Sequence, residues 1–164
     1  MKWLLIAGIV LAGLVAAVVI TGMLLPVAHV ATRSARLKQP PGRIWALITG
    51  DQSWRPDVLR YEPLPDLNGH RCWKEVDKHG GSIMFEAVEA KAPRRLVTRI
   101  ADKNLPFGGS WIYEIAPDAG GSAIQITERG EVYNPIFRFV SRFIMGHTAT
   151  IDAYLRALSE QEPR

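Results

Sequence analysis

Apolar positions change their period along the chain, and each period predicts a different kind of element. Residues 3–25 contain no charged side chain. At 1.5 Å per helical residue, a helix of that length crosses a hydrocarbon core of roughly 30 Å. Pro26 stops it. Residues 27–37 mix apolar and polar positions with β-branched Val and Thr, which predicts a strand leaving the helix without a flexible linker. Pro40-Pro41-Gly42 breaks that strand, and residues 43–49 form a short predicted helix with Ile44, Leu47 and Ile48 on one face. Strand-like runs follow at 58–64, 71–78, 82–90, 96–102, 110–116 and 122–132, separated by turn residues. The last segment takes a period of 3.6. Ile136, Val140, Phe143, His147, Ile151, Tyr154 and Leu158 predict one long amphipathic helix, entered through Asn134 as cap and Pro135 at the first helical position. The expected fold is α+β: a curved antiparallel sheet of six to seven strands around a long C-terminal helix, preceded by one transmembrane helix. The expected division is a membrane segment at 1–26 and one soluble domain at 27–164.

Length separates a retained anchor from a cleaved signal, because a signal's apolar region is about 7–15 residues and this one is longer, with no small-x-small site after it. Gly8, Ala12 and Ala16 recur at four-residue spacing and offer a face for weak homo-association, although ordinary membrane-helix composition gives the same pattern. Arg33, Arg36, Lys38 and Arg43 outnumber Lys2 across the span and favour a cytoplasmic domain, while the short Met-Lys leader also suits an uncleaved export signal. The chain of 164 residues holds 20 Lys+Arg against 16 Asp+Glu, a net charge of +4. That is too mild for nucleic-acid binding. The clusters Lys91, Arg94, Arg95 and Arg33, Arg36, Lys38 suit either a solvated surface or anionic headgroups.

Other chemistries drop out. Gly-Gly-Ser occurs at Gly80, Gly108 and Gly120, each time entering a strand rather than a helix, so these are expected β-turns and not phosphate loops. His29, His70, His79 and His147 lack metal-ligand spacing, and neither a metal nor a cofactor is expected. The lone Cys72 cannot close an intrachain disulfide and is expected to be inert.

Strand parity supplies candidate residues. Glu128 shares a face with Ile124 and Ile126, and His147 lies in the apolar stripe of the helix expected to close over that face. A carboxylate in apolar surroundings has a raised pKa and can act as acid or base, with an imidazole as its complement. Pairing of Glu128 with an arginine and a hydrogen-bonded core His147 are the structural alternatives. Trp111, Tyr113 and Ile115 form one continuous apolar face; Trp73 and Phe85 in central strands, and Trp54, Phe107 and Phe143 in flanking segments, complete a candidate ligand lining or a solid aromatic core. Glu75, on the face of Trp73, and Glu86, on that of Met84 and Val88, are further candidates for a polar anchor.

Three strings carry a family resemblance: Pro41-Gly-Arg-Ile-Trp-Ala-Leu-Ile-Thr49, Trp54-Arg-Pro-Asp-Val58, and the stretch from Thr127 to Gly146 that includes Glu-Arg-Gly-Glu-Val-Tyr-Asn-Pro. With the order of elements, they resemble the SRPBCC superfamily (START and Bet v 1-like, helix-grip fold), and within it the polyketide cyclase/dehydrase-like group, over residues 28–160. The resemblance implies a cavity between sheet and C-terminal helix that holds a hydrophobic small molecule or lipid. The expected function is therefore membrane-anchored binding of such a ligand. The alternatives are a cyclase/dehydratase-type enzyme using Glu128 and His147, and a protein-interaction module. Fold alone supplies no reaction.

Overall fold

A computed structural model describes residues 2–161; residues 1 and 162–164, the outer ends of the two expected segments, lie outside them. Helix α1 (Lys2–Leu24) leads through Pro26 into β1 (Ala28–Leu37), α2 (Pro41–Thr49) and six further strands: β2 (Val58–Leu67), β3 (His70–Asp77), β4 (Ser82–Lys91), β5 (Arg95–Ile100), β6 (Phe107–Asp118) and β7 (Gly121–Val132). All seven strands form one antiparallel sheet in the order β1-β7-β6-β5-β4-β3-β2. The expected fold class holds.

The register fixes which residues share a face. Ala31 opposes Glu128, Glu128 opposes Trp111, and Trp111 opposes Thr98; the next rung joins Arg33, Ile126, Tyr113 and Leu96. These side chains form the concave face. Irregular pairing at Val58/Arg60, Leu64/Leu67 and Ala87/Glu89 bends the sheet.

The C-terminal segment departs from the expected single helix. It divides into α3 (Pro135–Val140), a π-helical turn (Ser141–Met145) and α4 (Ala149–Ser159). Asn134 caps α3 as its sequence predicts, its Oδ1 accepting from the Ile136 and Phe137 N–H groups. The break comes at Gly146, whose φ of 76° ends the π turn. Only glycine enters that region without strain. A second departure is Gly108-Gly109, expected as a turn but built into β6, where Gly109 at φ 129° lies against the Arg129 carbonyl of β7. Gly80 and Gly120 do take the positive φ of hairpin turns.

Helix α4 covers the β1 side of the concave face. Ile44, Ile124, Ile126, Ile151 and Leu158 are at most 1% exposed and form the centre of the core. Gln39 ties the end of α4 to the β1–α2 loop by donating to the Leu158 carbonyl, while its own carbonyl accepts from Ser122 Oγ at 2.8 Å. Gln52 satisfies the carbonyls left free at the end of α2 by donating to Leu47, Ile48 and Gly50.

Candidate ligand site and its acid–base cluster

Strand β1 begins four residues after α1 ends, so the start of β1, the end of β7 and the start of β6 form the α1-proximal end of the sheet. The polar candidates meet there. His29 Nε2 lies 3.3 Å from Glu128 Oε1, and the two side chains are only 14% and 19% exposed. The His147 ring stacks on the His29 ring with centroids 4.0 Å apart and planes 20° from parallel. The Trp111 N–H acts on the same carboxylate. Sequence parity therefore brings Glu128 to the concave face as expected, and His147 reaches it from the break before α4 rather than from a helical stripe.

Electrostatics follow from partial burial. Desolvation raises the Glu128 carboxyl above its usual range, opposed by the Trp111 N–H and by His147. Desolvation lowers His29. His147 is lowered by burial and then by His29 and Arg142, with Glu128 acting against them. Imidazoles that are less basic than usual thus face a carboxyl that takes up a proton more readily than usual.

These directions set a pH dependence. As pH falls through about 6.5, the unfolded chain takes up histidine protons that the folded chain resists, and stability falls. Glu128 has the opposite sign: the folded chain protonates it above the ordinary value of 4.5, so its protonation offsets part of the loss. With two imidazoles against one carboxyl, the urea midpoint is expected to drop between about pH 7 and about pH 5.5, and less steeply in His147→Asn. A slope unchanged by that substitution refutes the coupling.

Gly130 makes room for the cluster. A Cβ there collides with the His29 imidazole and crowds Glu128 Oε1. In Gly130→Ala, His29 is expected to leave the stack, and His147 to titrate closer to an ordinary imidazole by NMR. An unmoved His147 titration counts against the stacked geometry.

The aromatic candidates separate into three groups. Trp111 and Tyr113 meet Tyr154 of α4 at 5.5 and 5.8 Å, and Trp54 meets it edge-on at 5.4 Å, so Tyr113 and Trp54 fill the space under α4 and the half-buried Trp111 stands at its edge. Trp73, 4% exposed, stacks between Tyr61 and Phe85 and donates to Glu75 Oε1 at 2.9 Å. Phe85 and Phe107 are half-buried toward the α1-proximal end. Phe143 is 58% exposed on the π turn, packed on Phe139 and apart from the other candidates.

The remaining candidates have other roles. Glu75 pairs with Arg55, which sequence reasoning did not single out. Glu86 points to the opposite face from Trp73 and Phe85, where Arg99 and His70 hold it. Lys91 and Arg95 are paired with Glu89 and Glu114 beside an open groove of about 630 Å³ at the β4–β5 turn. That turn, like Arg36 and Lys38 at the far end of β1, lies at the opposite end of the sheet from α1, because each extended residue advances the chain by about 3.3 Å. A headgroup role for these clusters loses its geometric basis. Cys72 is buried, 2% exposed.

A curved sheet gripping a C-terminal helix defines a helix-grip ligand-binding fold. The chain belongs to the polyketide cyclase / dehydrase and lipid transport family, which it matches over residues 28–159. Among solved structures, it is similar to protein MLL2253 from Mesorhizobium loti, at 10% identity and a TM-score of 0.61 over 80% of this chain and 95% of that one. The di-domain ARO/CYC BexL of the BE-7585A biosynthetic pathway gives 12% identity and a TM-score of 0.65 over 84% of this chain and 52% of that one, about one of its two halves. Norcoclaurine synthase from Thalictrum flavum gives 13% identity and a TM-score of 0.61, over 82% and 86%. At such identities the likeness concerns the fold. No curated protein matches the chain.

Proposed function

We propose that this protein is a membrane-anchored binding domain that takes a hydrophobic small molecule or lipid onto the concave face of its sheet. The observation that carries the reading is the position of the half-buried aromatic and polar residues at one end of that face: they lie next to the helix that is long and apolar enough to cross a membrane. A ligand that partitions into lipid would then be concentrated beside its site. Trp111, Phe85 and Phe107 supply apolar surface, and Glu128 with His29 and His147 supplies a polar contact for one end of the ligand. The excess of basic residues after the span favours a cytoplasmic domain.

Native mass spectrometry of the full chain released from detergent tests the reading. A co-purifying lipid or other apolar molecule is expected, and its occupancy should fall in Trp111→Ala. A chain free of bound mass after mild extraction from its own membranes counts against it.

The proximity of Glu128 to two imidazoles supports a second reading, an enzyme of the cyclase or dehydratase type. There a protonated Glu128 would donate while neutral His147 accepts. A Glu128→Gln variant that retains its ligand but loses turnover of it separates enzyme from carrier.

A further inference from the structure

Outside α1, exposed large apolar side chains concentrate in one place. Ile136, Phe137, Phe143, Ile144 and Met145 are 44–71% exposed, all within α3 and the π turn. Scattered apolar residues are normal on a soluble surface, but a contiguous group marks a contact. No acidic residue occurs from Tyr133 to Ala149, whereas Arg138 and Arg142 do.

This segment is fixed to the end of the apolar helix. Helix α3 packs against α1, whose Val18, Val19, Thr21 and Gly22 are shielded while most of its other residues are exposed. A Cβ on Gly22 would collide with the Pro135 carbonyl, so the backbones meet there. Arg138 completes the joint: Nη1 donates to the Leu25 carbonyl at 3.0 Å and Nη2 to the Tyr133 carbonyl at 3.1 Å. The patch therefore lies level with the last turns of α1.

We propose that α3 and the π turn form a second membrane contact, lying in the headgroup boundary of an anionic phospholipid bilayer with Phe137, Phe143, Ile144 and Met145 as the immersed residues. The bilayer is the occupant because the patch is continuous with the apolar surface of α1 and carries cationic but no acidic side chains. An in-plane apolar segment with basic flanks is the ordinary form of an interfacial anchor. Docked this way, the domain holds the Glu128 end of its concave face against the membrane surface, with the β6–β7 turn pointing away. The inference rests on the reading of α1 as a membrane span.

The test uses the full chain in nanodiscs of mixed neutral and anionic lipid, with a fluorophore on one introduced cysteine at a time. Ile144→Cys and Met145→Cys report on the patch, Ala16→Cys on the middle of α1, and Ala119→Cys on the exposed far hairpin. The buried Cys72 stays in place, and the unsubstituted chain gives the labelling background. Brominated phospholipids should quench labels at positions 144 and 145 about threefold more than at 119, as for side chains about 5–10 Å into the boundary. If position 16 is quenched but 144 and 145 match 119, the docking is overturned. If position 16 is also unquenched, the spanning reading falls and the docking with it, while ligand capture by mass spectrometry is decided separately. Protection of 144 and 145 from both bromine and aqueous iodide, with cross-linking between chains, assigns the patch to a second copy and also overturns the proposal.

Discussion

Arg55→Met is expected to destabilise the domain by about 3–5 kcal/mol, the range for removing one partner of a buried ion pair. Arg55 is 17% exposed and Glu75 10%, and Nη1 donates to Glu75 Oε2 at 2.8 Å. Asp57 accepts from the same guanidinium at 2.5 Å, and the guanidinium lies over the Tyr154 ring at 5.3 Å. One side chain thus joins the α2–β2 loop, β3 and α4. Burial acts to lower the Arg55 pKa, but Glu75 and Asp57 outweigh it and the value is raised, so the cation is retained throughout the accessible pH range. Methionine keeps much of the volume and removes the charge, leaving Glu75 with only the Trp73 N–H. The measurement is urea unfolding of the full chain in detergent, followed by near-ultraviolet circular dichroism. Because the loss comes mainly from the stranded carboxylate, Arg55→Met with Glu75→Gln should recover at least about half of it. A double variant as unstable as the sum of its singles refutes that account.

How far the sequence discloses this arrangement depends on the range of the interaction. The seven strands are legible because alternate residues meet different surroundings: Trp111, Tyr113 and Ile115 turn inward together, as do Ile124 and Ile126. Glu128 is legible for the same reason. His29 is not, because its importance comes from the β1–β7 pairing, which brings together residues 99 positions apart. Its parity with Ala31 is the signal that places it on the concave face, but only once β1 is known to neighbour β7. The break at Gly146 is hidden differently. Phe143, His147 and Ile151 keep steps of four across it, so the helical period continues through a chain that turns out of the helix. Periodicity records which residues are apolar, not whether the backbone between them runs on. Arg55 escapes because a charged loop residue ordinarily faces water, and only packing against α4 and β3 buries it.

The Gly108-Gly109 pair leads to the second large effect, since it looks like a turn and serves as a close contact beneath the site. Gly109 stands opposite Gly130 in the β6–β7 ladder at φ 129°, and a Cβ on it would strike the Arg129 carbonyl and the Gly130 Cα. Neither obstacle is a side chain that can rotate away, so the strands themselves must separate. Gly109→Val is expected to cost about 3 kcal/mol or more, combining backbone strain with lost ladder pairing. Its consequences are local as well as global. Gly130 is the residue over which His29 lies, and displacement of β7 there carries Glu128 away from Trp111 on β6. The variant should therefore lose stability and also return His29 and His147 toward ordinary imidazole titration, measured by NMR on the chain that remains folded. By comparison, Arg55→Met should destabilise the domain without moving those titrations, since its network lies under α4 and β3. If Gly109→Val unfolds the chain as strongly as expected but leaves both histidines unchanged in the folded fraction, the glycine pair supports only the sheet, and the site does not depend on the close approach of β6 and β7.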